Sequence, residues 1–308
     1  MTTSTSSTPP KRRRRWRTEY ALTAFLFLLP TFIFLAIFVV WPIAASIQLS
    51  FTEWNGISPT QKPVGGANWV RLMSDGVFWR AFRNNLVIVV LSILIQLPIG
   101  MALAVLLDRG GRKFNLFKTV YFFPLLMSTV AVGILFKYIY DPQFGMLTSG
   151  LRALGLGFLV QDWLGDTDVV LFSVIAVICW QFIPFYMIIF YAALTGIPAE
   201  LREAAFIDGA TESNYFWRIV LPLLRGTIST AAVLSLIGSL KYFDLIWVMT
   251  EGGPTNASEL MATYMYKKAF QSYEMGYGST VATALFVIVM VIALSVLFVT
   301  RRFSEENE

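Results

Sequence analysis

Six stretches of this chain are apolar for about the thickness of a lipid bilayer, and no other feature restricts its fold as tightly. Five carry no charge at all: Tyr20 to Ile47, Leu86 to Leu107, Thr119 to Phe136, Val169 to Leu194 and Met275 to Thr300. The sixth, Gly226 to Met249, is interrupted by Lys241 and Asp244. A helix rises about 1.5 Å per residue, so roughly 20 residues cross a hydrocarbon layer of roughly 30 Å. The sequence therefore reads as an all-α integral membrane protein with six transmembrane helices. They are expected at about 20–47, 86–107, 119–140, 169–194, 226–249 and 275–300, inside a membrane domain of 18–303. Charged residues make up 14% of the chain and apolar ones 56%, too little charge to cover a soluble domain of 308 residues. Basic residues also open a signal peptide, but here the first apolar stretch is too long, so an uncleaved span is expected.

Orientation follows from where lysine and arginine fall. Residues 1–17 begin with serine, threonine and proline and end in the basic run Lys11 to Arg17, and are expected to form a disordered cytoplasmic tail. With that end inside, Arg109, Arg112, Lys113, Lys118, Arg202, Arg218, Arg225, Arg301 and Arg302 are also cytoplasmic, and the outer loops hold fewer cations. Both termini are then cytoplasmic. Two outer segments are more than connectors. Asn68 to Asn84 sets Trp69, Leu72, Phe78, Trp79 and Phe82 among charges, and Leu260 to Phe270 sets Met261, Tyr264, Met265 and Lys268 at helical spacing. Each suits either a helix lying in the membrane interface or a loop helix packed on the ends of the spans.

Several chemistries are excluded at this level. The chain has no histidine and one cysteine, Cys179, which removes His-ligated metal sites, Ser-His-Asp hydrolysis and an internal disulfide. No Gly-x-x-x-x-Gly-Lys-Ser/Thr loop occurs, so any ATP belongs to another subunit. No convergent nucleophile, acid and base are visible, so the chain is not expected to be an enzyme or to bind a cofactor or metal itself. An ion-coupled secondary transporter would want inverted repeats and carboxylates near the midplane, and only Asp244 is a candidate.

Between the fourth and fifth spans, residues 196–222 are too patterned for a linker. Pro198 suits the first turn of a helix, and Ala199 to Ile207 are mostly strong helix formers. Asp208-Gly209 signals a turn in which glycine takes a left-handed conformation, and Thr211 is placed to cap a second short helix ending near Pro222. Glu203-Ala204-Ala205, then Gly209, then Ile219-x-Leu221-Pro222, resembles the EAA loop of ABC importer permeases in every position and gap. That resemblance implies the type I ABC importer permease fold and a coupling helix seated in a separate ATPase. Glu203, Ala204, Ala205, Asp208, Gly209, Ile219, Leu221 and Pro222 are then the coupling residues, with Glu203 paired to the partner, Ala204 and Ala205 permitting close seating and Gly209 allowing the elbow.

The resemblance runs from Tyr20 to Phe303 and points to the carbohydrate-uptake branch. Its motifs are Leu49-Ser-Phe-Thr-Glu-Trp54, Tyr121-Phe-Phe-Pro124, Asp141-Pro-Gln-Phe-Gly145 and Tyr242-Phe-Asp-Leu-Ile-Trp-Val-Met-Thr-Glu-Gly-Gly-Pro254, followed by Tyr264-x-Tyr266 and Ala269-Phe270. The chain is similar to the first of the paired permeases, the larger maltose permease type, without that relative's extra N-terminal spans and periplasmic insertion. The expected partners are a second related permease forming a heterodimer, two ATPase subunits holding ATP and magnesium, an extracytoplasmic solute-binding protein, the sugar and membrane lipid, with no nucleic acid. The expected location is the bacterial cell membrane, and the mechanism is alternating access driven by closure of the ATPases.

The same resemblance places the solute path on Leu125 and Thr129, on Ile178, Phe182 and Phe185, and on Ser235, Ser239 and Tyr242. Trp180 and Gln181 lie among them and suit a sugar, which needs hydroxyl hydrogen bonds and aromatic faces. Lys241 and Asp244, three residues apart, are read either as gate or solute contacts or as an ion pair near the outer end. A di- or oligosaccharide fits the branch. Glycerol phosphate, carried by close relatives, is the alternative, although Lys241 is the one basic residue in the path.

Overall fold

The computed structural model describes residues 13–110 and 115–305. The first helix, α1 (Arg13–Leu35), passes through a π-helical turn at Ala36–Val40 into α2 (Trp41–Leu49). Arg13 to Arg17, assigned from sequence to the disordered tail, are thus helical, because nothing in that run breaks a helix. The remainder of the tail, residues 1–12, and the basic pair Arg112 and Lys113 lie outside the described residues. No residue from 23 to 49 is buried, and Phe27, Phe38 and Trp41 are among the most exposed side chains of the chain. This apolar column stands clear of its own bundle until α2 meets the last helix.

A two-residue hairpin, β1 (Thr52–Glu53) with β2 (Lys62–Pro63), leads to α3 (Ala67–Ser74). Helix α4 (Gly76–Gly110) follows at once, continuous through Pro98. The aromatic segment 68–84 is therefore not one interfacial helix. It breaks at Asp75, whose backbone is extended and whose carboxylate accepts from the Val77 and Phe78 N–H groups. Leu72 and Phe78 are buried against Met261, Tyr264 and Tyr277, so the segment packs on the ends of the spans.

The third apolar stretch is two helices, α5 (Asn115–Leu126) and α6 (Thr129–Ile139), meeting at 103°. Hydropathy gave one continuous span here, but the backbone turns extended at Ser128, just after the proline-containing end of α5. Beyond α7 (Met146–Ala153), the helix α8 (Val170–Thr195) packs along α4. Their backbones approach closely: a Cβ at Gly100 would lie 3.0 Å from the Met187 nitrogen. In lipid the apolar effect between helices is weak, and small residues that let backbones meet supply the packing.

After α8 come α9 (Ala199–Ile207), α10 (Glu212–Tyr215), a π-helical turn at Phe216–Val220 and α11 (Leu221–Leu223). Helix α12 (Arg225–Leu240) is set at 66° to the segment before it. It stops at Lys241, and α13 (Asp244–Thr250) starts after a three-residue break at 241–243. That break overturns the ion-pair reading. Among the described residues no salt bridge joins Lys241 to Asp244, since the two no longer share a helical face, and both are exposed. Asp244 instead opens α13, where a carboxylate favours the helix N-terminus.

Helix α14 (Met261–Tyr266) and α15 (Met275–Glu305) complete the chain. The loop before α14 is locked from inside. Asn84 Nδ2 donates to the carbonyls of Ala257 and Glu259, both at 2.9 Å, and Asn85 Oδ1 accepts from the Met261 N–H at 3.0 Å. The fully buried Glu259 carboxylate receives the Thr263 hydroxyl and the Lys267 ammonium. Among the described residues, four single helices are long and apolar enough to cross a membrane, and two bent pairs bring the number to as many as six.

Candidate functional site

Two places in this architecture carry residues whose packing alone does not explain them. The first is the α9–α10 hairpin. Pro198 sits at the N-cap of α9, one position before the first turn expected for it. The helix ends at Asp208, after which Gly209 takes φ +82°. The Ala210 N–H reaches back to the Ala205 carbonyl at 2.9 Å and the Gly209 N–H to Phe206 at 3.1 Å, so the final carbonyls are satisfied by a left-handed cap. The Thr211 hydroxyl then accepts from the Asn214 N–H and opens α10.

Side chains divide by face. Glu203 and Ala204 are exposed, with Glu200 and Ile207 beside them at helical spacing. Ile207, 85% exposed, is an apolar side chain presented outward beyond the span ends. Ala205, expected on the docking face, is buried against its own chain instead, because neighbouring helical residues point about 100° apart. Asp208 and Gly209 are exposed at the elbow, while Ile219, Leu221 and Pro222 are half-buried where the chain re-enters the bundle. Sequence reasoning missed Ile207, although its place four residues after Glu203 puts it on the same face.

The hairpin is held by one carboxylate. Glu212 pairs with Arg202 of α9 at 2.7 Å and with Arg109 at the end of α4 at 3.0 Å. This hydrogen bond, more than any other influence, raises the Arg202 guanidinium above its ordinary value. Glu212 also separates two cavities. One of about 320 Å³ lies toward Leu194 and Pro198, and an apolar one of about 750 Å³ is lined by Leu97, Met101, Phe190 and Trp217.

The second place is the middle of the bundle. Leu125 and Thr129 flank the break between α5 and α6, both half-buried, and Gln181 Nε2 donates to the Met127 carbonyl inside that break at 3.4 Å. Gln181 is buried and its Oε1 has no hydrogen-bond partner. Phe182 packs on Tyr242 with ring centroids 5.8 Å apart, and Trp180 meets Phe136 edge-on at 5.1 Å. Ile178, Ser235 and Ser239 are buried. Tyr242 sits in the break of the fifth span beside Gln96, Cys179 and Tyr186. Phe185 and Asp244, the remaining path candidates, lie on the exposed surface of the chain and are not drawn into this cluster.

Gln96 and Ser92 are the residues that sequence reasoning missed. Both are on α4, fully or almost fully buried, and Gln96 Nε2 lies 3.8 Å from Cys179 Sγ. They are also the polar side chains of the uncharged run from Leu86 to Leu107. A polar group that a span retains inside hydrocarbon is the available signal.

Comparison with known proteins fits this geometry. Residues 96–304 match the family described as binding-protein-dependent transport system inner membrane component. The chain belongs to this family. It is 37% identical to a probable ABC transporter permease of Pyrococcus horikoshii, over 89% of this chain and 94% of that one. It is 32% identical to the diacetylchitobiose uptake system permease of Streptomyces coelicolor, over 94% and 85% respectively. Among solved structures it is similar to a chain of a bacterial ABC transporter that imports the acidic polysaccharide alginate. The TM-score is 0.79 and the identity 27%, with 94% of this chain and 99% of that one covered. A bacterial alginate ABC transporter in complex with an alginate pentasaccharide-bound periplasmic protein aligns at a TM-score of 0.78 and 26% identity, covering 95% and 98%. The EAA-loop resemblance thus leads to the right family. The fold is that of a type I ABC importer permease, a multi-pass membrane subunit.

Proposed function

We propose that this permease is one half of the membrane pathway of an ATP-driven, binding-protein-dependent sugar importer, with a neutral di- or oligosaccharide as its solute. The observation that carries the reading is the cytoplasmic hairpin. It projects Glu200, Glu203, Ala204 and Ile207 outward on a short helix fixed by the left-handed Gly209, as a lever for a separate ATPase requires. Six spans with both termini cytoplasmic place that hairpin on the side where ATP is. The Lys/Arg distribution supports this orientation.

A second permease completes the pathway. The apolar column of α1 and α2, which meets α15 through α2 and is otherwise exposed, supports this as a face available to a partner helix. An extracytoplasmic binding protein delivers the sugar, as the relative's pentasaccharide-bound partner suggests. ATP and magnesium stay on the ATPases. Within the bundle, Gln181, Ser235, Ser239 and Tyr242, joined by Gln96 and Ser92, offer hydroxyls and amides, while Trp180 and Phe182 offer ring faces. These groups are uncharged, which suits a neutral sugar. A glycerol phosphate would meet no cation in this cluster.

Reconstitution of the two permeases, their ATPases and the binding protein in proteoliposomes tests the reading. Uptake of a neutral di- or oligosaccharide that requires both ATP and binding protein is the expected result. Uptake without ATP overturns the proposal, and uptake confined to phosphorylated solutes removes the sugar.

A further inference from the structure

The coupling hairpin has to move the bundle as well as receive a push, and the structure contains a single ionic route for that. Among the described residues, Arg109–Glu212 is the only ion pair between the α9–α10 hairpin and a membrane-spanning helix. The same carboxylate grips Arg202, one residue before Glu203 on the exposed helix. Its two oxygens are divided: Oε1 serves Arg202 and Oε2 serves Arg109. Cavities of about 320 and 750 Å³ adjoin Glu212, so part of the hairpin's boundary with α4 and α8 is open space and not close-packed side chains.

We infer that Glu212 is a positioning residue that transmits displacement of the coupling helix to α4. This rests on the coupling reading proposed above. The geometry downstream suits the role. Arg109 lies one residue from the end of α4, which runs as one helix to Gly76 and packs on α8 and α12. Thirteen residues back along α4 is Gln96, roughly 20 Å away at the helical rise, against Cys179 and Tyr242 in the polar cluster. A shift of the α4 end therefore reaches the residues best suited to hold a sugar. The three members of the clasp are about half exposed, and ion pairs of that kind add little stability. What the clasp supplies is a fixed geometry: a bridged carboxylate holds two guanidinium groups in register as the hairpin turns.

The test uses the full transporter in proteoliposomes and reads sugar transported per ATP hydrolysed, with co-purification of the ATPases as a measure of assembly. Glu212→Gln and Arg109→Gln are each expected to lower that ratio about five- to tenfold with all subunits still associated. The double variant is expected to be no worse than either single one, because both remove the same link. A ratio within twofold of the unaltered transporter, or losses that multiply in the double variant, overturns the inference. Loss of assembly in step with transport also overturns it, since that is the mark of a merely structural contact. Glu203→Lys separates the two levels of the argument. If Glu203→Lys abolishes uptake and Glu212→Gln does not change the ratio, only the clasp fails. If neither variant changes uptake, the coupling reading itself fails.

Discussion

Replacing Gly209 tests whether the elbow of the coupling hairpin is required for its backbone or for its lack of a side chain. Gly209 has φ +82°, and a Cβ built there meets nothing within 4 Å. Alanine therefore brings no clash within the chain, only the conformational penalty of the left-handed region, about 1–2 kcal/mol for an L-residue. A penalty of that size changes the ratio of the native elbow to its alternatives by a factor of about 5–30, which appears in full where that ratio is close to balance during the transport cycle. If the native elbow is the geometry that couples, ATP-driven uptake by Gly209→Ala falls by about the same factor in saturating binding protein. Asparagine is larger than alanine but enters this region more readily, so Gly209→Asn is expected to lose no more than about threefold. Gly209→Val, β-branched and strained at positive φ, should be the least active of the three. The conformational order is thus glycine, asparagine, alanine, valine, whereas an order set by side-chain volume places alanine ahead of asparagine. Initial uptake rates in proteoliposomes, normalised to assembled complex, distinguish the two. Alanine outperforming asparagine would refute the backbone argument and assign Gly209 to close contact with the ATPase.

Three further outcomes follow from named groups. Burial works to raise the pKa of Asp75, but hydrogen bonds from the Tyr264 and Tyr277 hydroxyls and from the Phe78 and Val77 N–H groups outweigh it, so its carboxyl titrates below the ordinary value of 3.8. The stabilisation is therefore present above the unfolded value and lost as pH falls through the lower folded one. Thermal unfolding of the purified permease should show an acid-sensitive component below about pH 4 that Asp75→Asn abolishes while lowering the midpoint at pH 7. Glu259→Gln leaves Lys267, itself 26% exposed, facing a neutral amide, and because its ammonium can turn to solvent the loss is about 1–3 kcal/mol, read as a lower unfolding midpoint in detergent. Gln96→Leu retains bulk on α4 but removes the polar group beside Cys179 and Tyr242. Uptake should fall at least about tenfold, the loss of one to two hydrogen bonds in the transition between states, with little loss of thermal stability. Equal activity would remove Gln96 from the path.

How much of this was legible in the sequence depends on what each signal measures. Hydropathy reports solvent, so it located the apolar segments, and the spacing of Glu203, Gly209 and Pro222 marks the hairpin in the sequence itself. Hydropathy does not report backbone direction. The stretch from Thr119 to Phe136 is uniformly apolar whether straight or bent, and the 103° turn at its centre rests on the extended conformation of Ser128. The same blindness misled the reading of Lys241 and Asp244. A spacing of three residues implies one face only if the helix continues between them, and here it stops at Leu240. Ala205 shows the complementary limit: its identity matched the motif, but which way it faces is fixed by α9 docking on its own bundle.

The polar residues of the bundle show why the proposed path was only half visible. A resemblance supplies positions on the spans where relatives place them, here the third to the fifth, and cannot supply a residue from α4. Physical reasoning can. Within the uncharged run from Leu86 to Leu107, Ser92 and Gln96 are four residues apart and so lie on one side of the helix. Burying an amide in hydrocarbon without a partner is costly, so that side must face protein, and facing protein it must face other polar groups. Cys179, Gln181, Ser235 and Tyr242 are the polar candidates on the neighbouring spans, and the structure places Gln96 against two of them. Gln181 Oε1 and Ser92 Oγ remain buried without hydrogen-bond partners. Unsatisfied groups of this kind are a liability in a static protein. In the path proposed for this permease they have free capacity to bind a solute hydroxyl, as an interior filled only intermittently requires.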